Sequence, residues 1–503
     1  SVSVPGGGGA GMMSAMHTPT LYRQWADHYA QAIHSGALPP GERMPSLRDL
    51  MARHAVSLST AVQLCRTLER EGLLEARPRA GYFVRPRRPL ASLQEPQPSA
   101  PDVAQYVGIH QRVSEVLALS QRYPAKVNLS GSCGAPSLYP GAALRLATQR
   151  ALRAQPDIFS QPLAMAGCAP FLQALAQHAL DAQMTLSPDE LVVTHGCTEA
   201  LTLALRAVAQ PGEVIAVESP TYYGLLQILE SLGLQALEIP ASPHTGLSLE
   251  ALEVAARQCP GLKAVAVTPN LHNPLGCVMP DAHKRQLLRW CQRHDIALIE
   301  DNTYTPLYDA GPPLAAIKAW DDSGQVIVCS SLHKILAPGL RLGWIAGGKW
   351  HERIAMLKYS QSRPNELLPQ LAMTDYLSSG ALPRHLSTLK RTLRHQREQM
   401  ADAVDRLFPA GCRFSLPPGG MSIWVELPGE LSSLAVFHAA LQQGIRISPG
   451  VMFSNAGRVD HCLRLNAGLP YTREVDRAMH TLAQVIEHTL NQAPAGRGKA
   501  THA

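Results

Sequence analysis

Polar side chains of different types stand directly after successive short apolar runs in the middle of the chain. In chain order they are Cys197 and Thr198, Tyr222, Asn273, Asp301 with Tyr304, and Ser331 with Lys334 and Arg341. Small residues before a helix expose backbone amides that favour an anion such as phosphate. An aromatic ring, an acid and a phenol stand among the other residues, and the lysine supplies an amine. Together, these groups suit the binding of a pyridine aldehyde phosphate.

Each of these residues also has an ordinary structural interpretation. A lone lysine is usually solvated, an asparagine in a turn usually satisfies backbone groups, and Asp301 could cap a helix. A tyrosine at a strand end, such as Tyr222, more often packs in a core. The prediction of a cofactor site therefore depends on all of these residues together, which we call the ordered set. In it a phosphate cradle, an acid, a phenol and an amine follow successive apolar runs.

The apolar runs that precede these residues are predicted strands. They are Leu191–Thr194, Val214–Val217, Ala264–Val267, Ile296–Ile299 and Val326–Cys329. Helical patterns alternate with them, among them Val103–Tyr123 and Ala142–Ala154, and this alternation predicts a parallel or mixed sheet covered on both faces. Ligands of such sheets bind beyond the carboxyl ends of the strands. We therefore expect the candidate residues to lie at one edge of the sheet.

The ordered set resembles the fold-type I pyridoxal-phosphate enzymes of the aspartate aminotransferase superfamily, over roughly residues 102–491. Its most specific part is the block from Ser330 to Trp344. The resemblance implies that Lys334, Asp301 and Tyr304 are catalytic. It implies a Schiff base between Lys334 and pyridoxal 5'-phosphate, a ring nitrogen protonated through Asp301, and hydrogen bonds to the ring O3′ from Asn273 and Tyr304. It further implies ring stacking by Tyr222 and phosphate binding by Cys197, Thr198, Ser331 and Arg341.

A second arginine follows from the same resemblance. The segment His461-Cys462-Leu463-Arg464-Leu465 is similar to the strand whose arginine clamps a substrate carboxylate, which makes Arg464 the predicted ligand for an effector or substrate carboxylate. Two positions depart from the family, since Thr198 replaces a frequent Gln and His333 replaces a frequent Ser. The implied fold is α/β, with a large α/β/α domain around a mainly parallel sheet and a small α+β C-terminal subdomain.

The overall composition limits the classes of protein that this chain can belong to. It has 503 residues, 46% of them hydrophobic, and a formal net charge of +6. This length predicts two or more domains, and the hydrophobic fraction excludes a mainly disordered chain. No apolar run reaches the ~20 residues that a membrane helix needs. The ten cysteines form no CxxC pair and no histidine belongs to an HExxH pattern, so we expect reduced thiols in a cytoplasm and no metal site.

The positive charge is concentrated near the start of the chain. Residues 17–90 contain eleven arginines, no lysine and six acidic residues, and so carry nearly the whole excess. Their patterns predict helices over Leu21–Ser35, from the Ser46 and Asp49 cap to His54, and after the Ser57 cap. Two extended pieces follow, Leu73–Ala76 and Tyr82–Val84. Three helices and a basic hairpin predict a winged helix-turn-helix, whose third helix enters the DNA major groove.

This segment also resembles a known family of DNA-binding domains. The stretches LYRQWADHYAQAIHSGALPPGERMPSLRDL, STAVQLCRTLEREGLLEARP and RAGYFV are similar to GntR-type bacterial regulators. The resemblance implies DNA contacts by Ser46, Arg48, Ser57, Ser59, Thr60, Arg79 and Gly81. Leu58 stands where the family often carries an arginine, so base recognition there is weaker, shifted or directed at a thymine methyl. The alternative, a solvated face of an interaction domain, suits any single arginine better than the whole pattern.

Composition also predicts the domain boundaries. Residues 1–16 contain four consecutive glycines and are expected to be a flexible leader outside the fold. They are not a signal peptide, because they lack its basic and apolar regions. Residues 17–85 form the winged helix, and the proline-rich residues 86–101 form an extended linker. Residues 102–491 form the aminotransferase-like domain, and residues 492–503 a disordered tail.

A GntR-type winged helix joined to an aminotransferase-like domain is the arrangement of MocR-type regulators, which the chain resembles from Leu21 onward. We expect a homodimeric transcriptional regulator that binds operator DNA. It senses an amino-compound effector when that compound replaces Lys334 on the cofactor as an external aldimine. The alternative is a working aminotransferase with an accessory DNA-binding domain, since every group that transamination needs is present. A third interpretation, a cofactor-free scaffold, conflicts with the intact set of Lys334, Asp301 and Tyr304.

Overall fold

The computed structural model describes residues 20–86, 89–99 and 102–493. The predicted leader, residues 1–16, and residues 494–503 of the predicted tail lie outside the described residues. The chain divides into two compact units between Pro89 and Leu90.

The first unit consists of three helices and a two-stranded hairpin. Its elements are α1 (Leu21–His34), α2 (Leu47–His54), α3 (Leu58–Arg70), β1 (Leu74–Arg77) and β2 (Gly81–Val84). Ser46 and Asp49 form a reciprocal cap at the start of α2, and the Ser57 hydroxyl accepts a hydrogen bond from the Thr60 amide at the start of α3. Such caps satisfy amides that the first helical turn leaves unpaired. The predicted winged helix-turn-helix is confirmed. Strand β1 is displaced by one residue from its predicted position, and β2 begins one residue earlier than predicted.

The second unit alternates helices and strands along most of its length. Its helices are α4 (His110–Arg122), α5 (Gly141–Ala154), α6 (Ala169–Ala179), α7 (Gly196–Val208), α8 (Tyr223–Ser231), α9 (Leu249–Arg257), α10 (Asp281–Arg293), α11 (His351–Gln361), α12 (Leu367–Ser378), α13 (Leu382–Leu407), α14 (Ser433–Gln442) and α15 (Arg473–Gln492). Its strands are β3 (Gln105–Tyr106), β4 (Val127–Asn128), β5 (Leu191–Thr194), β6 (Val214–Ser219), β7 (Gln235–Ser242), β8 (Gly246–Leu247), β9 (Leu262–Val267), β10 (Ala297–Asp301), β11 (Val326–Ser331), β12 (Gly343–Ala346), β13 (Arg413–Phe414), β14 (Ser422–Glu426), β15 (Ile445–Arg446), β16 (Ser448–Pro449) and β17 (Cys462–Asn466).

The central sheet has the strand order β3-β7-β6-β9-β10-β11-β12-β5, and β8 pairs with β7. The strands from β7 to β11 in this order run parallel, whereas β12 is antiparallel to both of its neighbours and β3 is antiparallel to β7. Two separate apolar clusters cover the two faces, because alternate strand residues point to opposite sides. The predicted α/β/α domain with a mainly parallel sheet is confirmed.

A smaller sheet lies in the C-terminal part of the second unit. Its order is β13-β14-β17-β16, with antiparallel pairs throughout. Helices α13, α14 and α15 pack together around it. The predicted small α+β subdomain is confirmed, and Arg464 lies in its strand β17 opposite Trp424.

Residues 90–99, which belong to the predicted linker, lie along the second unit. The Leu90 amide donates to Asp405 Oδ1 at 2.6 Å, and the Leu93 amide donates to Ser415 Oγ at 3.2 Å. Glu95 accepts a hydrogen bond of 2.8 Å from Ser242 Oγ at the end of β7, and Leu93 is only 4% exposed. Because Ser415 follows β13 of the small subdomain, this docked segment contacts both parts of the second unit.

Two expectations about elements are wrong in detail. The helix predicted over Val103–Tyr123 begins only at His110, because Gln105 and Tyr106 pair with β7 and the Gly108 amide donates to Asn455. Strands β3, β7, β8 and β12 of the central sheet are absent from the five predicted runs. β12 is a four-residue strand that begins with glycine, and its pairing with β5 joins residues about 150 positions apart, which no local pattern encodes.

The structure also bears on cysteines, membrane helices and metal ligands. All ten cysteines carry free thiols. No helix among residues 20–86, 89–99 and 102–493 is long and apolar enough to cross a membrane. In the same part of the chain, no three His, Cys, Asp or Glu side chains are grouped so that they could hold a metal ion.

Candidate cofactor site and DNA-binding face

The Lys334 side chain lies against the segment between β4 and α5. Its Nζ donates a hydrogen bond to the Ser132 carbonyl oxygen and lies 3.4 Å from Cys133 Sγ. The same Nζ lies 5.8 Å from the centre of the Tyr304 ring, whose hydroxyl is 2.7 Å from Ser132 Oγ. The fold thus brings Lys334 and Tyr304 together and adds Ser132 and Cys133, which sequence reasoning missed. Their only signal was the run of small residues Ser130-Gly131-Ser132-Cys133-Gly134.

Burial and neighbouring groups shift the pKa values of Lys334 and His333. Burial lowers the pKa of the Lys334 ammonium, but Tyr304 and Cys133 beside it outweigh burial, and the pKa is raised overall. Burial and the neighbouring charges of Lys334 and Arg341 lower the pKa of His333 to about 3. His333 is therefore neutral at neutral pH, and its Nδ1 lies 3.0 Å from Ser331 Oγ. The positive charge of this region comes from Lys334 and Arg341.

Asp301 is the last residue of β10 and its carboxylate is largely enclosed. Oδ1 accepts a hydrogen bond of 3.0 Å from the Thr303 amide, and the Cys197 thiol also hydrogen-bonds to this carboxylate. Burial raises the pKa of Asp301 above its ordinary value, although these hydrogen bonds and the charge of Lys334 act in the opposite direction. An enclosed carboxylate of this kind is stabilised by a cationic partner.

The start of α7 and Arg341 form a cradle at the end of β5. Gly196 has a φ of +82°, and a Cβ at this position would lie 2.7 Å from Arg341 Nη2. Arg341 itself has a φ of +50° and donates from Nη2 to the His195 carbonyl oxygen at 3.2 Å. The first-turn amides of Cys197 and Thr198 therefore lie beside a guanidinium, at the helix end where the dipole favours an anion.

Arg464 and Asn273 are buried and bonded to each other. Arg464 Nη1 donates a hydrogen bond of 2.8 Å to Asn273 Oδ1, and the guanidinium carbon lies 5.0 Å from the centre of the Phe453 ring. Arg464 Nε makes no hydrogen bond within the described residues. A buried guanidinium with an unused N–H retains charge and a donor for a carboxylate.

A buried acid–histidine pair supports the turn that carries Asn273. His272 Nε2 lies 2.9 Å from Glu218 Oε2, which also accepts a hydrogen bond of 3.1 Å from the Thr268 amide. His272 Nδ1 accepts from the Leu275 amide at 3.2 Å. The Thr268 hydrogen bond and the His272–Glu218 contact tie this segment to the end of β6.

Tyr222 precedes α8 and its ring covers Gly224. A Cβ on Gly224 would lie 2.4 Å from this ring, so only glycine leaves room for it. Burial raises the pKa of the Tyr222 phenol, and the neighbouring Tyr223, Tyr304, Cys197 and Asp301 add to that shift. Tyr222 therefore lies within electrostatic range of the Tyr304 and Asp301 side chains.

The predicted DNA-contacting residues lie at the starts of α2 and α3 and on the hairpin turn. Ser57 Oγ is 2.9 Å from both Ser59 Oγ and Thr60 Oγ1, so these hydroxyls form one cluster at the start of α3. Ser46 and Arg48 are exposed at the start of α2. Arg79, with a φ of +62°, and Gly81, with a φ of +100°, shape the turn between β1 and β2.

Two further residues of the first unit belong to this surface. Leu58, the first residue of α3, is 54% exposed, an apolar side chain beside a polar cluster. Arg43 reaches the hairpin, since a Cβ on Gly81 would lie 3.7 Å from its guanidinium. Sequence reasoning counted Arg43 as part of the basic charge but did not assign it to DNA. The Arg43 backbone forms a bridge to Phe83, which explains its place beside the hairpin.

Comparison with known proteins relates both units to described families. Residues 137–482 match the family described as aminotransferase class I and II, and residues 21–84 match the bacterial regulatory proteins of the gntR family. The uncharacterized HTH-type transcriptional regulator YjiR of Escherichia coli is 34% identical over 94% of this chain and 100% of its own length. The chain belongs to the MocR-type GntR-family transcriptional regulators.

Other proteins similar to this MocR-type regulator share one or both units. The uncharacterized HTH-type transcriptional regulator YdcR of Escherichia coli is 34% identical over 93% of this chain and 99% of its own length. The solved structure of LysN, an α-aminoadipate aminotransferase from Thermus thermophilus complexed with N-(5'-phosphopyridoxyl)-L-leucine, is 25% identical with a TM-score of 0.69. That likeness covers 75% of this chain and 95% of LysN. The predicted fold-type I aminotransferase fold is confirmed, and this fold family is pyridoxal-phosphate-dependent.

The residues of this MocR-type chain fit pyridoxal 5'-phosphate. The Lys334 amine suits an aldehyde, and the enclosed Asp301 carboxylate suits a protonated ring nitrogen. The cradle at Gly196, which a Cβ would fill, suits a phosphate. The unused Nε of Arg464 suits the carboxylate of an amino compound.

A buried network that sequence reasoning missed fixes the start of α7 in this regulator. Lys358 Nζ on α11 lies 2.6 Å from Glu199 Oε1, 2.8 Å from Asn365 Oδ1 and 3.2 Å from His195 Nδ1. Glu199 is in the first turn of α7, and the His195 carbonyl oxygen receives Arg341. Because Lys358 follows Glu199 by 159 residues, no local spacing could indicate the pair.

Proposed function

We propose that this chain is a transcriptional regulator that binds pyridoxal 5'-phosphate at Lys334, senses an amino compound there and binds operator DNA as a homodimer. The observation that supports the proposal most strongly is the convergence of Lys334, Tyr304 and Ser132 in a chain that also carries a winged helix. An aminotransferase fold alone would not require a DNA-binding unit, and a DNA-binding unit alone would not require a half-buried lysine beside a phenol.

In this proposal each residue of the set has a separate role in holding the cofactor. Lys334 holds the aldehyde end, Asp301 the ring nitrogen, and Asn273 with Tyr304 the ring oxygen, while Tyr222 covers one face of the ring. Cys197 and Thr198 with their amides, together with Ser331 and Arg341, hold the phosphate. When bound, the cofactor supplies an aldehyde that condenses reversibly with primary amines, whether from Lys334 or from an effector.

Arg464 selects the effector by charge. Its guanidinium is buried and bonded to Asn273. Among the described residues Arg464 has no ion pair that an incoming carboxylate would have to displace. Amino acids bind in preference to amines that lack the carboxylate, because only the former offset the charge of Arg464. An effector changes DNA binding only if it binds two states of the regulator with different affinities.

Exposed apolar residues support the homodimer. Leu146 and Leu152 on α5 and Phe159, Leu163 and Met165 after it are exposed, Phe159 by 84%. All five lie within residues 146–165, and a large exposed apolar area in a globular protein favours association. Two winged helices would then contact two half-sites of an operator. We assign the protein to the cytoplasm, where its DNA is found and ten free thiols stay reduced.

The test compares the full chain with Lys334→Arg, which keeps the positive charge but cannot condense with an aldehyde. DNA duplexes selected by the wild-type chain from a random pool serve as the operator, and the twenty common amino acids serve as effector candidates. We expect both proteins to bind the DNA, and only the wild type to show visible cofactor absorbance and an effector-dependent change in DNA affinity. Lys263→Arg, on exposed surface, is the matched control. An effector response retained by Lys334→Arg would contradict the proposal.

Transamination is a second function that the same set of residues favours. The groups at Lys334, Asp301, Tyr304 and Arg464 are those that an aminotransferase of this fold would need. Incubation of the cofactor-loaded chain with an amino acid and a keto acid tests it, because a sensor completes at most one half-reaction whereas an enzyme turns over repeatedly. Repeated turnover would establish the enzyme and leave the DNA-binding unit as an accessory.

A further inference from the structure

A cavity of about 280 Å³ is lined by residues of the apolar cluster that covers one face of the central sheet. Asn302 follows Asp301, and Ser330 precedes Ser331, so neighbouring residues of the same two segments point to opposite faces. The walls of the cavity are mainly apolar and belong to the cluster on that face, including Met184, Trp344 and Leu382. Nothing in the proposed function uses this cavity.

The inner end of the cavity carries unused polar groups. Asn302 and Ser330 are 5% and 6% exposed, respectively. Asn302 Oδ1 accepts a hydrogen bond of 2.5 Å from Thr305 Oγ1, but neither Asn302 Nδ2 nor Ser330 Oγ hydrogen-bonds to another described residue. Because both side chains line the cavity, the Asn302 amide and the Ser330 hydroxyl can pair with a polar group of an occupant.

The mouth of the cavity is positively charged. Lys390 on α13 lines it and makes no ion pair with the described residues. The adjoining surface depression contains Arg391 and Arg394. Its carboxylate, Asp309, is already paired with Arg394 at 3.4 Å and with Arg397 at 2.6 Å. A second carboxylate of the lining, Asp181, lies 3.8 Å from His178, but burial lowers the pKa of that histidine, so Asp181 remains an exposed negative charge. Lys390 is the lysine of the lining that can pair with an anion.

We propose that this cavity binds a small aromatic carboxylic acid with a hydroxyl group at the end opposite to its carboxylate. The apolar walls accept the ring, Lys390 accepts the carboxylate, and Asn302 with Ser330 accept the hydroxyl. A ligand there contacts Asn302 and Ser330, which are the chain neighbours of Asp301 and Ser331. The proposal does not depend on the proposed function, because none of the atoms involved belongs to the candidate cofactor set.

Isothermal titration calorimetry on the full chain without added cofactor tests it with three related probes. 4-Hydroxyphenylacetate has both polar ends, phenylacetate lacks the hydroxyl, and 4-hydroxyphenylacetamide lacks the charge. We expect the first to bind most tightly, by about fivefold over phenylacetate and about tenfold over the amide. Absence of binding by all three probes, or equal binding of the acid and the amide, would overturn the proposal.

Variants then assign the two ends of the ligand. Lys390→Met is expected to remove the preference for the acid over the amide, and Ser330→Ala to reduce the preference for the hydroxylated probe. Arg384→Met, an exposed residue of the same helix outside the cavity lining, should bind all probes like the wild type. Leu386→Trp fills the cavity and should abolish binding. If thermal unfolding shows that Leu386→Trp is unfolded, the other two variants decide the outcome, and wild-type behaviour of both would overturn the proposal.

Discussion

Arg464 Nη1 donates a hydrogen bond of 2.8 Å to Asn273 Oδ1, and both side chains are buried. Arg464 lies on β17 of the small subdomain, whereas Asn273 lies in the turn after β9 of the large sheet. The bond therefore joins the two parts of the second unit at the candidate site. A carboxylate that binds Arg464 therefore binds at the junction of the two parts, where it can change how they contact each other.

Replacement of Arg464 is expected to remove selection for carboxylates. Arg464→Met should weaken binding of the best amino acid by about 3 kcal/mol, while its affinity for the corresponding decarboxylated amine stays close to that of the wild type. Arg464→Lys should fall between them, since lysine keeps the charge but not the planar fork. Absorbance titrations of the cofactor-loaded chain measure both affinities. Arg473→Met, on an exposed helix start, is the control, and an unchanged ratio in Arg464→Met would contradict the assignment.

Asp301→Asn is expected to stabilise the cofactor-free chain while it weakens cofactor binding. Because burial raises the pKa of Asp301, its favourable contribution exists at acid pH and is lost as pH rises through the folded-state pKa. The variant lacks the buried charge that then appears, so we expect a gain on the order of 1 kcal/mol at alkaline pH and a smaller gain in acid.

Urea unfolding at several pH values measures this difference, with the exposed Asp295→Asn as control. Added pyridoxal 5'-phosphate should raise the midpoint of thermal unfolding for the wild type more than for Asp301→Asn. A variant that is less stable than the wild type at alkaline pH would show that the carboxylate is needed for folding.

The Glu199–Lys358 pair is expected to contribute to stability as a unit. Glu199→Gln leaves the Lys358 ammonium buried without its anion and should cost about 3 kcal/mol. The double variant Glu199→Gln with Lys358→Met should recover most of that loss, because no buried charge remains. Urea unfolding of the four proteins gives the interaction energy.

The same pair should lose its effect in acid. Burial raises the pKa of Glu199, but the hydrogen bond and charge of Lys358 outweigh burial, so its pKa lies below the ordinary value of 4.5. The contribution of Glu199 is therefore present above the unfolded-state pKa and lost as pH falls through the folded-state pKa. Additive effects of the two substitutions at neutral pH would contradict the pairing.

Arg48→Ala is expected to weaken binding to the selected DNA duplex by about 1–3 kcal/mol and to reduce the slope of log affinity against log salt by about one. The reason is that Arg48 is an exposed cation at the capped start of α2, where it is predicted to contact DNA. Arg70→Ala is the charge-matched control, because Arg70 is the last residue of α3 and the predicted DNA-contacting residues of that helix are at its start. Fluorescence anisotropy at several salt concentrations measures both. Equal losses in the two variants would indicate only a general charge effect.

Leu93→Ala is expected to release the docked segment from the second unit. The Leu93 side chain is buried in the core, and its truncation should cost about 2–3 kcal/mol if the segment stays in place. If the segment detaches instead, the loss is smaller and residues 90–99 become sensitive to protease. Thermal unfolding and limited proteolysis distinguish these results, and Leu416→Ala, an exposed leucine near the same surface region, is the control. If Leu93→Ala is as stable and as resistant to protease as the wild type, the contacts of Leu93 are unimportant.

Local patterns predicted the first unit well because its structure depends on neighbouring residues. The caps at Ser46 with Asp49 and at Ser57 involve residues three positions apart, so the sequence displays both partners together. The order in which polar groups follow the apolar runs can likewise be read from the sequence, because each group lies close to its own run. Prediction failed at residues 103–109, where pairing with β7 and a bond to Asn455 replaced the helix that the apolar spacing indicated.

The sequence by itself determined the families of both units, the concentration of arginine in the first unit, and the types of group at successive strand ends. Only the tertiary structure decided which of these groups meet, because their partners lie far apart along the chain. Lys334 contacts Ser132 across 202 residues, Arg464 contacts Asn273 across 191, and Lys358 contacts Glu199 across 159. Periodicity and caps report contacts within a few residues, whereas charge pairing and burial at such distances depend on the packing of the whole sheet.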